Sequence, residues 1–309
     1  MSQPYDALVL GDYSLDLVFT GLPKLPELGV EVVASGFDHQ PGGGGFNCAV
    51  SMARLGLKVG WAVDFGDDPM SAFVRRRAIE EGLDAALFVD HPRPLRRITV
   101  AASFPEDRAF LAFYDPDPPV PAAARALATT SPRLAFVPGV YAGPLIIPAR
   151  ALMRVRGIAL VMDGNSTENT HLGVLSVRRA IGAADIFLPN ALEARRLTGE
   201  ADLARAMARL LDLCPLVVIK DGAHGAYACK RGGSMVHAPA IEVEPLETTG
   251  SGDAFDAGFL AAWLDKKPLA TCLAWGNVVG GRSTLGPGGT SVRTTRQDVE
   301  AELTAPRSA

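Results

Sequence analysis

Six short, nearly unbroken apolar runs, at 7–10, 59–63, 134–137, 158–162, 185–188 and 216–219, alternate with longer stretches of helical spacing. A strand that is apolar at every position is buried on both faces, as in a parallel sheet covered by helices. The helical stretches lie around 47–55, 69–81, 144–155, 174–183, 191–197 and 203–211. This alternation predicts an α/β fold with a doubly wound, mostly parallel central sheet flanked by helices. The 309 residues, 48% of them hydrophobic, supply ample material for its core.

Two stretches break the alternation. Residues 17–20 with 30–37 read as a pair of short strands. Residues 97–104 and 109–114 flank the polar turn Pro105-Glu106-Asp107-Arg108 and read as a hairpin. No helical pattern lies within either pair. They form a small sheet, either a lid over one end of the main sheet or plain edge strands, and the lid also offers a dimerisation surface. A lid has a reason to exist, because ligand crevices in such folds lie at the carboxyl ends of the strands and need covering. The chain therefore reads as one domain over 1–309, with lid strands inserted at about 12–40 and 94–115.

The bulk numbers exclude several classes. A net charge of −4 and the absence of a dense basic stretch argue against a nucleic-acid surface. Cys48, Cys214, Cys229 and Cys272 are scattered, which argues against zinc and disulfides and fits a reducing cytoplasm. No apolar run approaches the ~20 residues of a membrane span. The first strand-like run starts after six residues, with no basic n-region and cleavage site before it, so a signal peptide is not expected.

The chemistry concentrates in five segments. Gly250-Ser251-Gly252-Asp253 leads into an apolar helical pattern. A helix starting near Gly250 points unpaired backbone N–H groups, and the positive end of its dipole, at one spot suited to phosphate. Asp253 in the first turn is awkward beside an anion, unless it is the base that takes a proton from an attacking hydroxyl. Pro41-Gly42-Gly43-Gly44-Gly45-Phe46-Asn47 lets the backbone approach a ligand closely, with Asn47 opening a helix as cap or hydroxyl partner. A flexible glycine turn with an Asn cap explains that segment equally well. Asp12 and Asp16 follow the first strand, placed to accept from sugar hydroxyls or simply to serve as turn acids. Asn190 and Glu193 share one face of a helix start, where they could hold magnesium-bound water or form a capping box. Lys220, Gly222 and Gly225 follow another strand, in a turn that could run beside a nucleotide or be an ordinary hairpin.

The order and spacing of these five segments resemble the ribokinase-like (PfkB) carbohydrate kinase family over nearly the whole chain. Thr248-Thr249-Gly250-Ser251-Gly252-Asp253-Ala254-Phe255 is similar to its carboxyl-terminal signature. The resemblance implies that Gly250, Ser251 and Gly252 form the anion hole and that Asp253 is the catalytic base. Gly42, Gly43 and Asn47 match its glycine–asparagine motif at the sugar, and Asp16 its hydroxyl acceptor. Asn190 and Glu193 match its N-x-x-E motif for phosphate and magnesium; Gly222 and Gly225 match its nucleotide-side turn. Asn277 would lie near adenine, with 286–290 closing the pocket. ATP, Mg²⁺ and a homodimer built through the lid are implied as well.

Three departures stand out. Glu247 occupies a position where the family has Asp, at a residue that helps form a monovalent-cation (K⁺) site. Ser251 replaces the usual Ala, and Thr167 stands at the Arg position of a D-x-N-x-R motif that begins at Asp163. The resulting expectation is an ATP-dependent kinase for a primary alcohol of a ribose- or fructose-like sugar. A nucleoside kinase, in which Phe46, Phe104, Phe110 or Phe113 stacks on a base, is the alternative within the family. A non-catalytic sugar- or nucleoside-binding regulator is the alternative outside it.

Overall fold

The computed structural model describes residues 5–105, 108–167 and 169–305. Its strands are β1 (Ala7–Leu10), β2 (Ser14–Thr20), β3 (Gly36–Gly42), β4 (Val59–Phe65), β5 (Phe88–Asp90), β6 (Arg97–Ser103), β7 (Arg108–Tyr114), β8 (Leu134–Val137), β9 (Ala159–Asp163), β10 (Ile186–Leu188), β11 (Leu216–Lys220), β12 (Ala226–Lys230) and β13 (Val236–Ala238). Its α-helices are α1 (Gly44–Arg54), α2 (Pro69–Glu80), α3 (Ala122–Thr129), α4 (Ile146–Arg156), α5 (Leu175–Ala183), α6 (Ala191–Thr198), α7 (Leu203–Leu211), α8 (Ser251–Leu264), α9 (Leu269–Ser283) and α10 (Arg296–Thr304).

Among the described residues the larger sheet runs β13-β12-β11-β10-β9-β8-β1-β4-β5. It is parallel from β5 across to β11, and antiparallel only at the β12–β13 edge. The doubly wound reading thus holds. Side chains of β1 alternate between two cores: Ala7 and Val9 join one face, with α1, α8 and α9, while Leu8 and Leu10 join the other, with α5, α6 and α7. That alternation is why β1 is apolar at every position.

The smaller sheet runs β3-β2-β6-β7. Its first hairpin departs from expectation. The partner of β2 is Gly36–Gly42, in the register Ser14↔Gly42 to Thr20↔Gly36, and not residues 30–37. Val30 and Val33 are instead 50% and 75% exposed. Their β-branched side chains signal propensity alone, and cross-strand pairing decides. The β6–β7 hairpin forms as read; its turn residues Glu106 and Asp107 lie outside the described residues.

No described helix is long and apolar enough to cross a membrane. The four cysteines are buried free thiols.

Candidate active site

The carboxyl ends of β1, β8, β9 and β11 deliver Asp12, Pro138, Asp163 and Lys220 to one edge of the sheet. Two helix N-termini, those of α1 and α8, meet there, and glycines allow the approach. Gly43 caps α1 with φ +87°, and a Cβ on it would lie 2.7 Å from the Tyr13 backbone. A Cβ on Gly45 would lie 2.4 Å from the Asp12 carbonyl oxygen. The glycine run is therefore a packing requirement between α1 and the end of β1. It also starts α1 at Gly44, so Asn47 lies inside the first turn and does not cap it.

α8 begins after Gly250, whose φ is +75°. A Cβ at Gly250 would lie 2.5 Å from Gly289 Cα and 2.9 Å from Asn47 Nδ2. Ser251 folds back on Thr248, its Oγ donating to the Thr248 carbonyl at 2.8 Å. No acceptor among the described residues meets the amides of Gly252 and Asp253, while the Ala254 amide donates to the Gly250 carbonyl at 3.0 Å. Two open amides at the positive end of a 14-residue helix are what an anion needs.

Asn47 Nδ2 donates to Asp253 Oδ2 at 2.9 Å. Asn47 Oδ1 is buried without a partner, an acceptor kept free at the site. Burial pushes the Asp253 carboxyl up to about 7; Asp163 and Asp12 add to this, while Asn47 and Lys220 oppose it. A carboxylate titrating near neutrality is matched to general-base work.

Asp16 sits on β2, and a Cβ on Gly42 would fall 2.0 Å from its Oδ2, so that glycine makes room for the carboxylate. Ser14 Oγ donates to Asp16 Oδ1 at 2.5 Å. Burial raises Asp16 to about 6, against the Ser14 hydrogen bond and with help from Glu247 and Asp12. Asp12 is exposed and accepts from the Gly45 amide at 3.3 Å.

Asn190 and Glu193 form a full capping box: Glu193 N donates to Asn190 Oδ1 and Asn190 N to Glu193 Oε2, each at 2.8 Å. Burial, then Asp163, raises the Glu193 carboxyl, while Lys220 opposes. With Oε2 occupied by the cap, Glu193 fits a magnesium ion through that ion's water shell rather than by a closed protein cage. No group of three described acidic, His or Cys side chains could hold a metal.

The remaining sequence candidates are placed differently. Lys220, read as a nucleotide neighbour, turns its Nζ inward to Asp163 Oδ1 at 2.7 Å and Asp256 Oδ1 at 3.0 Å. Asn277, read as lying near adenine, is buried and spends its amide on the carbonyls of Ala238 and Pro239, both at 2.9 Å. Gly222 lies in the β11–β12 hairpin connection in open space, whereas a Cβ on Gly225 would strike Ala238 O at 2.1 Å. Phe46 is wholly buried in the core and cannot stack on a base. Phe113 points away from the Asp16 face of the lid, because register pairs it with Ile98 and Asp16 with Thr99; Phe110, paired with Ala101, shares the Asp16 face.

Glu247 bears on the cation question. Its Oε1 accepts from Thr249 N at 2.8 Å and its Oε2 from Gly288 N at 2.5 Å. Amide hydrogens point at both oxygens, which is the opposite of what a cation presents. The longer acid does not fit a monovalent ion; it ties the 286–290 loop to the anion turn directly.

Asp256 escaped sequence reading. Its signal was an acid in the sixth position of an apolar helix, one turn after Asp253, and its counterpart was a lysine closing the apolar strand β11.

Residues 7–296 match the pfkB family carbohydrate kinase domain. The chain is 29% identical over 291 residues to an acarbose 7(IV)-phosphotransferase of Actinoplanes sp., covering 91% of this chain and 92% of that one. It is 27% identical to an Escherichia coli fructokinase, covering 95% and 98%, and 28% identical to a Bacillus subtilis ribokinase, covering 96% and 98%. The structure of Arabidopsis thaliana ribokinase with ribose and ATP superposes with a TM-score of 0.81 at 18% identity, covering 99% and 100%, which speaks to the fold.

Proposed function

Because the chain belongs to the pfkB family of carbohydrate kinases, we propose that it moves the γ-phosphoryl group of ATP to a primary alcohol of a ribose- or fructose-like sugar, with Asp253 as base. One observation carries this reading: the Asp253 carboxylate is held by Asn47 beside the open amides of Gly252 and Asp253. A hydroxyl at Asp253 loses its proton as it attacks; the amides receive the charge that develops on the transferred group. Gly250 and Ser251 shape that turn. Asp12, Asp16, Asn47 and the Gly42–Gly43 backbone hold the sugar hydroxyls. Asn190, Gly222 and Gly225 lie on the nucleotide side, and the place first read for Lys220 and Asn277 falls to backbone around them. Glu193 would hold Mg²⁺ through the ion's water shell, and the ion would supply positive charge to the phosphates of ATP.

The activities for which the relatives are named, on fructose, ribose and acarbose, support a polyhydroxylated acceptor. Nucleosides are the second reading, favoured by Phe110 on the Asp16 face of the lid. The other lid face exposes Phe37, Leu111 and Phe113 by 60%, 73% and 52%, and we infer a homodimer through it. The free buried cysteines support a cytoplasmic setting. An ADP-release assay over sugars and nucleosides tests the whole reading. ADP release with a sugar and none with a nucleoside is the expected result. Tight binding of a sugar without ADP release would make the protein a regulator instead.

A further inference from the structure

A buried lysine lies directly beneath the anion turn. The Lys220 side chain is 10% exposed, and its Nζ would be 3.5 Å from a Cβ on Gly252. It bonds Asp163 from the end of β9 and Asp256 from the second turn of α8. Asp256 is wholly buried, and its Oδ2 has no partner. Burial works against the Lys220 charge, but Asp163, Asp256 and Glu193 hold it protonated.

The groups facing Asp253 come from every element around it. They are Asp12 after β1, Asn47 and the thiol Cys48 on α1, Asp163 on β9, Lys220 on β11 and Asp256 on α8. Three carboxyl groups, Asp163, Asp253 and Asp256, thus share one nearby ammonium; burial pushes Asp256 well above the usual carboxylate range, and Lys220 at 3.0 Å opposes that push. The thiol is no counter-ion, because burial keeps it neutral. Together with a phosphate arriving at the Gly252 amide, this cluster is short of positive charge. Lys220 is the fixed cation placed to offset it, and Asp256 withholds part of that charge. A plain structural role accounts poorly for Asp256, since an apolar residue would fill the same core position without desolvating an acid.

Resting on the kinase reading above, we propose that Lys220 and Asp256 are positioning residues for phosphoryl transfer: a buried pair whose charge balance sets when Asp253 can accept a proton. The two members act with opposite sign. Lys220 favours the ionised base, and Asp256 opposes it.

The test is the titration of Asp253, followed by ¹³C-carboxyl NMR and assigned with D253N, in the parent, K220M, D256N and K220M/D256N. This readout does not depend on turnover. The acid limb of kcat/KM is measured in parallel. K220M should raise the Asp253 midpoint, and D256N should lower it, each by about one pH unit or more. The double variant, which removes one charge of each sign, should return toward the parent. If K220M does not fold, D256N and the double variant still carry the opposed shifts. Midpoints that stay at the parent value while thermal unfolding temperatures fall would reduce the pair to a structural bridge and overturn the proposal. Opposed NMR shifts with no ADP release from the parent on any acceptor would leave the charge balance standing and sink the kinase reading instead.

Discussion

Asn47 and Asp253 are 206 positions apart in the chain, yet the amide of the first donates to the carboxylate of the second at 2.9 Å. The bond joins the first turns of α1 and α8, so the proposed sugar contact and the proposed base are fixed by one another. Substrate binding at Asn47 and proton transfer at Asp253 are therefore expected to change together.

Asp253→Asn removes the base but keeps an acceptor for Asn47. It should lower kcat by ~10²–10⁴-fold with little change in KM. The parent should lose kcat/KM below a pH near 7, the value to which burial lifts Asp253, and the residual activity of the variant should lack that limb. Stability moves the other way. A carboxyl whose folded-state affinity for protons exceeds its ordinary 3.8 costs stability as pH rises from about 4 to about 7. The variant should therefore unfold at a higher temperature than the parent at pH 8 and lose most of that advantage at pH 5. Differential scanning fluorimetry at the two pH values checks it.

Glu247 bridges two amides where a cation ligand would stand. The parent should therefore turn over equally in potassium and in choline at matched ionic strength, and potassium should not raise its unfolding temperature. Glu247→Asp, one methylene shorter, should release the Gly288 amide and make the rate respond to potassium. Several-fold stimulation of the parent by potassium would refute the bridge.

Gly250→Ala and Gly252→Ala should part company. The first puts a side chain at φ +75° and 2.5 Å from Gly289 Cα; the second meets only the end of the Lys220 side chain, Nζ at 3.5 Å and Cε at 3.9 Å, both ordinary contacts. The positive φ alone costs about 1–2 kcal/mol. Urea unfolding should show a clear loss for Gly250→Ala and little for Gly252→Ala.

Asp16→Ala should mainly raise KM for the sugar, because the role proposed for Asp16 is that of a hydroxyl partner set in the lid and not of a base. An unchanged KM for the accepted sugar would remove it from the site.

Leu111→Asp puts a charge on the outward lid face, far in role from the chemistry. It should convert a dimer to a monomer in light scattering. A parent that already runs as a monomer would dismiss the lid interface.

Much of the architecture follows from the sequence itself. Apolar runs such as Leu216–Lys220, and the helical spacing between them, depend on burial on one or two faces, and burial is written in each segment's own residues. The turn at Gly250 and the acid in the first turn of α8 are equally local, since a positive φ and open amides belong to a few consecutive residues. Tertiary structure decided what each acid touches. Lys220 faces Asp163 and Asp256 and not a nucleotide, and Glu247 reaches Gly288. It also moved the second lid strand to Gly36–Gly42, where β2 offers a pairing edge. The physical reason is range: propensity and periodicity act over a few residues, whereas a hydrogen bond between β11 and α8 exists only once the order of the sheet has brought the two together.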